Sequence, residues 1–571
     1  MKYSRKILIL LSMLNLLFMH YYFYLNGFLE WTWKYSLVVN LCSIVFDVSV
    51  IFIVFLLLLG GRFKPAALIT YLLTLIWAIV NVVYGEFFYL YTPLSAIGEA
   101  HALGDGLVID SVMTAFHWYD LLWVASLLCF ILIYRKTSAY VIKKKKLISL
   151  VLVPIVSLLI TILTYTVYHF VHPLYRHNFE LYQSRMKEFL YDTLRGGTPN
   201  LAHFQNGCLR VCAYELYDML RNTELSETER NEISAYYLDH SLRVTRHQPN
   251  TEVRNVIFIL MESLLSAPID MTVDGKEITP FLNQLKRDSD VYYNGNMVSN
   301  IEGGESGDGQ FIYMNGILPL QYKMTVGRVK NNILPALPKV LSKYCDVKHS
   351  EIIFPTMPNL WQQADVNKVY DFTEAYSMED IVGGPDNPID DEKIFAFAAN
   401  RLDALKEPFF SLILSVSTHS PYNHFVGEDL CIKDKTLPER YKNYLNSCHF
   451  LDQQMGCYFD QLKAKGLYDR SLIVLCADHH AHTSRFDMVD RVSSYTPLFI
   501  VHGNINKDEA WNGEFNQLDV YTTVLDILGV DSEWKGFGHT LLMPTYSSSV
   551  NSESIRLSKL IIDGDYFRSL E

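Results

Sequence analysis

The stretch 255-NVIFILMES-263 sets six apolar residues in a row, Val256 to Met261, and ends them on a carboxylate, Glu262. A run this short, unbroken and rich in branched side chains fits a strand buried on both faces, as in a parallel sheet. The texture continues C-terminally. TPFLNQLKR, VYYNGNMV, PFFSLILS, SLIVLCA, PLFIVH and QLDVYTTVLDILG alternate short apolar runs with amphipathic segments. Such alternation predicts an α/β domain on a mainly parallel sheet, and active sites in these sheets gather at the carboxyl ends of the strands.

Four of those ends carry chemistry. The first strand delivers Glu262. The second leads into SNIEGGESGDGQF (Ser299–Phe311), whose glycines permit close backbone approach and which resumes as helix, so Ser306 falls near a helix N-terminus. A third, PFFSLILSVSTHSPY, delivers His419; a fourth, SLIVLCADHH, delivers Asp478 and His479. Singly, Glu262 and Asp478 fit helix caps, Ser306 a turn and His419 a surface histidine. Together, two carboxylates, an imidazole and a hydroxyl on one sheet edge suit a hard-to-borderline divalent cation, Zn²⁺ or Mn²⁺, with Mg²⁺ as a third occupant. His480 and His482 extend the ADHHAH cluster, but neighbouring residues at a strand end point to different faces, so both are secondary candidates.

N-terminal to this domain the composition is different. Ile7–Leu25, Ser36–Leu59, Ala66–Tyr84, Val112–Tyr134 and Leu147–Phe170 are apolar runs of about 20 residues, the length that crosses a bilayer as helix. We read five transmembrane helices, the fourth shortened by His117 and Asp120. The first run follows a basic start, MKYSRK, yet ends in YYFYLNGFLEW where a signal peptide needs small residues. Lys2, Arg5 and Lys6, then Arg62 and Lys64, then Arg135, Lys136 and Lys143–Lys146 lie in alternate connections. The positive-inside rule therefore puts the N-terminus in the cytoplasm and everything after Phe170 outside. Asp47 is conspicuous in mid-span and receives no role. The expected division is a membrane domain over 1–170, a helical connector over 171–250, the catalytic domain over 251–545 and a C-terminal tail over 546–571.

The net charge of −12 disfavours a nucleic-acid partner, since no basic stripe is present to neutralise phosphates. Of nine cysteines, Cys208 with Cys212 and Cys448 with Cys457 are candidate pairs in an oxidising compartment.

The runs NVIFILMES, GGESGDGQF, STHSPY, ADHHAH and QLDVYTTVLDILG together resemble the membrane-anchored branch of the alkaline phosphatase and sulfatase superfamily, above all the lipoteichoic acid synthases and their phosphoglycerol and phosphoethanolamine transferase relatives. The resemblance covers essentially the whole chain. It implies that Glu262, Ser306, Asp478 and His479 hold one metal, that Ser306 is the nucleophile, and that His419 binds phosphate or donates a proton. Trp361, in NLWQQAD, matches an aromatic residue of the head-group pocket. The chain departs from the family at two places: the nucleophile is Ser306 followed by Gly307 rather than threonine followed by serine, and Gln363 stands where the lipoteichoic acid enzymes have arginine.

The implied function is transfer of a phospholipid head-group phosphate, of phosphoglycerol type, through a phosphoseryl intermediate to a glycan or lipid hydroxyl of the cell envelope. Phosphoethanolamine transfer and phosphodiester hydrolysis are the alternatives, and an inactive membrane scaffold is the non-enzymatic one. Sulfatase chemistry needs a modified residue within C/S-x-P-x-R, and Ser306 is followed by Gly-Asp-Gly-Gln.

Overall fold

The computed structural model describes residues 2–26, 36–88, 90–94, 96, 117–171, 199–220, 224–241, 249–250, 252–301, 304–320, 324–420, 422, 430–481, 486 and 492–570. The chain forms two compact units, one from Met1–Ala100 with Val112–Asn222 and one built on Thr223–Glu571. The expected connector is therefore divided: helices Pro199–Asn206 and Cys208–Leu220 belong to the first unit, and Glu227–Ser241 to the second.

In the first unit, four helices among the described residues are long and apolar enough to cross a membrane: Tyr3–Leu25, Leu37–Leu58, Phe63–Glu86 and Lys146–Thr164. Of the span expected over 112–134, residues 112–116 lie outside the described residues; the rest is a 3₁₀ turn at Trp118–Asp120 followed by a helix of 16 residues, Leu121–Lys136. The His117 N–H donates to the Asp120 carboxylate at 2.7 Å. Asp47 is buried and has a structural partner. Its Oδ2 accepts from the Cys208 N–H at 2.7 Å and from Cys208 Sγ at 3.1 Å, satisfying a free donor at the start of the following helix.

In the second unit, strands β1 (Asn255–Met261), β4 (Val291–Val298), β5 (His349–Ile353), β6 (Glu374–Tyr376), β7 (Phe409–Leu414), β8 (Ser471–Ala477), β9 (Thr496–Val501) and β10 (Phe515–Asn516) form one sheet; β2 (Thr272–Val273) and β3 (Lys276–Glu277) make a separate hairpin. The order across the sheet is β10-β4-β9-β8-β1-β7-β5-β6, and β9 alone runs antiparallel to its neighbours. The mainly parallel α/β sheet expected from sequence is thus present.

The reading of 255–261 holds residue by residue. Val256, Phe258 and Leu260 enter one hydrophobic layer; Ile257, Ile259 and Met261 enter the other, and every residue of the strand is buried. Strand β8 alternates likewise, with Leu472, Val474 and Cys476 on one face and Ile473, Leu475 and Ala477 on the other. Each large side chain so buried contributes about 1.5–3 kcal/mol; truncating Phe258 to Ala in this setting costs about 3–5 kcal/mol.

Two expectations change. The segment 546–571 is not a loose tail: it contains helix Ser552–Gly564, whose Leu557, Ile561 and Ile562 are in the core, followed by the buried Tyr566 and Phe567. Its i, i+4, i+5 spacing of apolar residues is what an amphipathic helix needs to dock. All nine cysteines are free thiols. Cys448 and Cys457 lie on one continuous helix, Glu439–Ala464, about 13 Å apart along its axis, beyond any disulfide; the Cys208 thiol is spent on Asp47.

Candidate active site

Each site residue sits just past a strand or at a helix start on one edge of the sheet. Glu262 follows β1 directly. Its N–H donates to Ser415 Oγ at 2.8 Å, its carbonyl accepts from Thr418 Oγ1, and Ser263 Oγ donates to its Oε1 at 2.7 Å. Asp478 follows β8, with Oδ1 accepting from the backbone N–H groups of Ser263 and His479, both at 2.8 Å. These bonds hold both carboxylates in place.

Ser306 is the second residue of helix Glu305–Asn315, which begins seven residues after β4 ends. The glycines explain how the helix gets so close. A Cβ at Gly309 would stand 2.5 Å from the Asp478 carbonyl oxygen, and one at Gly304 would overlap the Asp308 side chain that folds back across it. Asp308 is fully buried, accepts from the Thr325 N–H at 2.8 Å, and is pushed up to about 8 by burial.

The side chains meet. Ser306 Oγ donates to Glu262 Oε2 at 2.9 Å and lies 3.5 Å from His479 Nε2. The same Nε2 is 3.5 Å from Glu262 Oε1, 3.7 Å from Asp478 Oδ2 and 3.3 Å from Glu305 Oε2. The other ring nitrogen, Nδ1, donates to the His480 carbonyl at 3.0 Å, which directs Nε2 into the cluster. The electrostatics record an excess of negative charge. Burial and Glu262 push Asp478 up to about 7. Burial opposes charge on Glu262 and on His479 alike, yet their mutual attraction wins: Glu262 is held below the usual carboxylate range, and Asp478 and Glu305 hold His479 well above the usual imidazole range.

Such a pocket calls for a cation. Glu262, Asp478 and His479 offer donor atoms within 4.8 Å of one another, all buried. One further group, His349, Glu351 and Glu374, has comparable spacing, but there Arg401 already supplies the positive charge, its guanidinium on Glu374 and 3.2 Å from Glu351.

His419 lies five residues past β7, its N–H bonded to Val416 O at 2.9 Å, close enough for its charge to act on Glu262. Asp391 fixes this loop by accepting from the Val416 N–H at 2.7 Å and the Ser417 N–H at 3.2 Å. Gln363 is buried and bonded to Gln310 and Asn367. Trp361 is in the 3₁₀ turn Leu360–Gln362, but its side chain, like His482, lies outside the described residues. His480 contributes its carbonyl to His479. Glu305 was not singled out from sequence, because an acid in the first helical turn is ordinary; its place in the same motif as Ser306 was the available signal.

Membrane helices ahead of a mainly parallel α/β sheet with this cluster at its edge define the class. Residues 254–530 match the Sulfatase family model. Among relatives, the chain is 28% identical over 347 residues to lipoteichoic acid synthase 2 of Bacillus subtilis, covering 56% of this chain and 53% of that protein. It is 25% identical over 523 residues to lipoteichoic acid synthase of Staphylococcus aureus, covering 85% of this chain and 76% of that protein. The chain thus spans about half the length of the first of these relatives. Among solved structures, lipoteichoic acid synthase LtaP from Listeria monocytogenes superposes with a TM-score of 0.44 at 19% identity, covering 56% of this chain and 82% of that one.

Proposed function

We propose that the protein is a membrane-embedded phosphotransferase that moves the phosphoglycerol head group of a phospholipid through Ser306 to a hydroxyl of an envelope glycan or lipid. The observation that carries this is the approach of Ser306 Oγ to Glu262 at 2.9 Å and His479 at 3.5 Å, at a helix N-terminus. Sequence similarity to synthases of lipoteichoic acid supports the head-group class.

Glu262, Ser306, Asp478 and His479 would hold one divalent cation, Mn²⁺ or Zn²⁺, which when bound favours the serine alkoxide and neutralises phosphate oxygens. The chain's own residues do the rest. Ser306 Oγ attacks phosphorus in line, the P–O bond to diacylglycerol breaks, and the Ser306 proton passes to Glu262 Oε2, which already accepts its hydrogen bond at 2.9 Å and returns the proton when Ser306 is displaced. The N–H groups of the first turn of helix Glu305–Asn315 would face the phosphoryl oxygens. His419 protonates the departing diacylglycerol oxygen, then takes the proton of the acceptor hydroxyl as that oxygen displaces Ser306. Asp391 positions the His419 loop. The family resemblance assigns Trp361 and Gln363 to the head group.

In this reading the helix Leu121–Lys136 belongs to the fourth of five spans, the N-terminus is cytoplasmic and the sulfatase-like domain is outside the cytoplasm. The test offers phosphatidylglycerol or phosphatidylethanolamine to the detergent-solubilised protein and follows diacylglycerol release with and without a chelator. Chelator-sensitive release from phosphatidylglycerol that needs an acceptor supports the reading. Release from phosphatidylethanolamine alone changes the head group, release without an acceptor indicates hydrolysis, and no release from either lipid with no bound metal indicates a scaffold.

A further inference from the structure

Glu305 is the one acidic side chain at the cluster that neither the strand-end pattern nor the family resemblance assigns. It immediately precedes Ser306, opens the helix with φ +43°, and is mostly enclosed, its side chain 18% exposed. Its Oε2 lies 3.3 Å from His479 Nε2, nearer than Glu262 Oε1 at 3.5 Å or Asp478 Oδ2 at 3.7 Å.

Those separations have a geometric meaning. Two donor atoms each bound at about 2.1 Å to one ion stand about 3.0 Å apart at right angles and about 3.4 Å apart at the tetrahedral angle. The separations around His479 Nε2 run from 3.3 to 3.7 Å, and Ser306 Oγ is 2.9 Å from Glu262. Glu305 Oε2 is within this range of His479 Nε2 but stands outside the trio Glu262, Asp478 and His479 whose donor atoms all lie within 4.8 Å of one another, so it joins a shared ion by a turn of its own side chain.

We propose that Glu305 is a fifth donor to the divalent cation, completing a set of three carboxylates, one hydroxyl and one imidazole; this rests on the metal-site reading above. A set with four oxygens and one nitrogen is richer in hard donors and higher in number than the four-coordinate sites typical of Zn²⁺, and carboxylate oxygens suit Mn²⁺ and Mg²⁺. Glu305 therefore tilts the site toward Mn²⁺ over Zn²⁺. It also adds a charge beside the nucleophile, which an ion with an open position for phosphate offsets.

The test measures Mn²⁺ and Zn²⁺ dissociation constants of the full-length protein in detergent, by competition with a chromogenic chelator, for wild type, Glu305→Gln, Glu305→Asp and Asp478→Asn. Unfolding of the metal-free proteins is followed in parallel to establish that each variant is folded. Glu305→Gln is expected to weaken Mn²⁺ at least fivefold and more than it weakens Zn²⁺. Glu305→Asp, which keeps the charge but withdraws the oxygen by one methylene, is expected to show the same order and decides the matter should Glu305→Gln fail to fold. A loss below fivefold, or an equal loss for both metals, overturns the assignment of Glu305. If Asp478→Asn also binds as wild type, the metal site itself is wrong; if Asp478→Asn loses metal while Glu305→Gln does not, only the fifth donor is.

Discussion

Gln310 and Gln363 exchange both of their side-chain amide hydrogen bonds. Gln310 Nε2 donates to Gln363 Oε1 at 3.2 Å and Gln363 Nε2 donates back to Gln310 Oε1 at 2.8 Å, with a further bond from Gln363 Nε2 to Asn367 at 2.7 Å. Gln310 is four residues beyond Ser306 on one helix, so this neutral pair links the helix of Ser306 to the turn carrying Trp361. The departure at position 363 is thus matched by an uncharged partner. Gln363→Arg alone places a guanidinium in a buried site without a counter-ion and is expected to destabilise by about 3 kcal/mol. Adding Gln310→Glu should recover more than half of that. A double-mutant cycle of unfolding midpoints checks it, and additivity would refute the coupling.

Gly309 owes its place to the Asp478 carbonyl. Gly309→Ala brings a methyl to 2.5 Å of that backbone oxygen, whereas at Gly307 the nearest atom is Val326 Cγ1 at 3.4 Å. Gly309→Ala should cut turnover at least a hundredfold by moving Ser306 off the cluster, while Gly307→Ala costs less than tenfold. Steady-state rates of the two alanine variants separate them.

Asp391 acts on His419 through backbone alone. Asp391→Ala strands two buried N–H groups, a cost of about 1–3 kcal/mol each, and should lower turnover tenfold or more with metal affinity unchanged. Loss of metal in this variant would show that the loop matters for more than His419.

Asp452 makes the fold sensitive to pH. Its carboxylate accepts from the Phe281 and Leu282 N–H groups, both at 2.8 Å, at the start of helix Pro280–Arg287, and burial pushes it up to about 7. The folded value lies above the unfolded one, so the folded state binds the proton more tightly. Its contribution is complete below about pH 4 and is lost as pH rises to about 7. Asp452→Asn should flatten the decline in unfolding midpoint between pH 5 and 8 relative to wild type; an unchanged slope would contradict the assignment.

What sequence showed and what it hid follow from the range of the interactions. Strand β1 was readable because six adjacent apolar residues need no distant partner to declare themselves buried. Glu262, Asp478 and His479 were readable because each directly ends such a run. Glu305 was hidden, since only the folding back of the loop after β4 brings it to His479. The C-terminal helix looked like a tail because its partners, such as Leu318 on Ser558 and Arg328 on Asp563, are remote in sequence. Trp361 and His482 were named from sequence, and their side chains lie outside the described residues.

The account stands most directly on Ser306 as a transient carrier of the head-group phosphate. Peptide mass spectrometry of the acid-quenched protein, after brief exposure to phosphatidylglycerol without acceptor, should find a glycerophosphoryl adduct on the peptide containing Ser306, absent in Ser306→Ala, which should also release no diacylglycerol. An unmodified Ser306 peptide together with undiminished release from Ser306→Ala would contradict it.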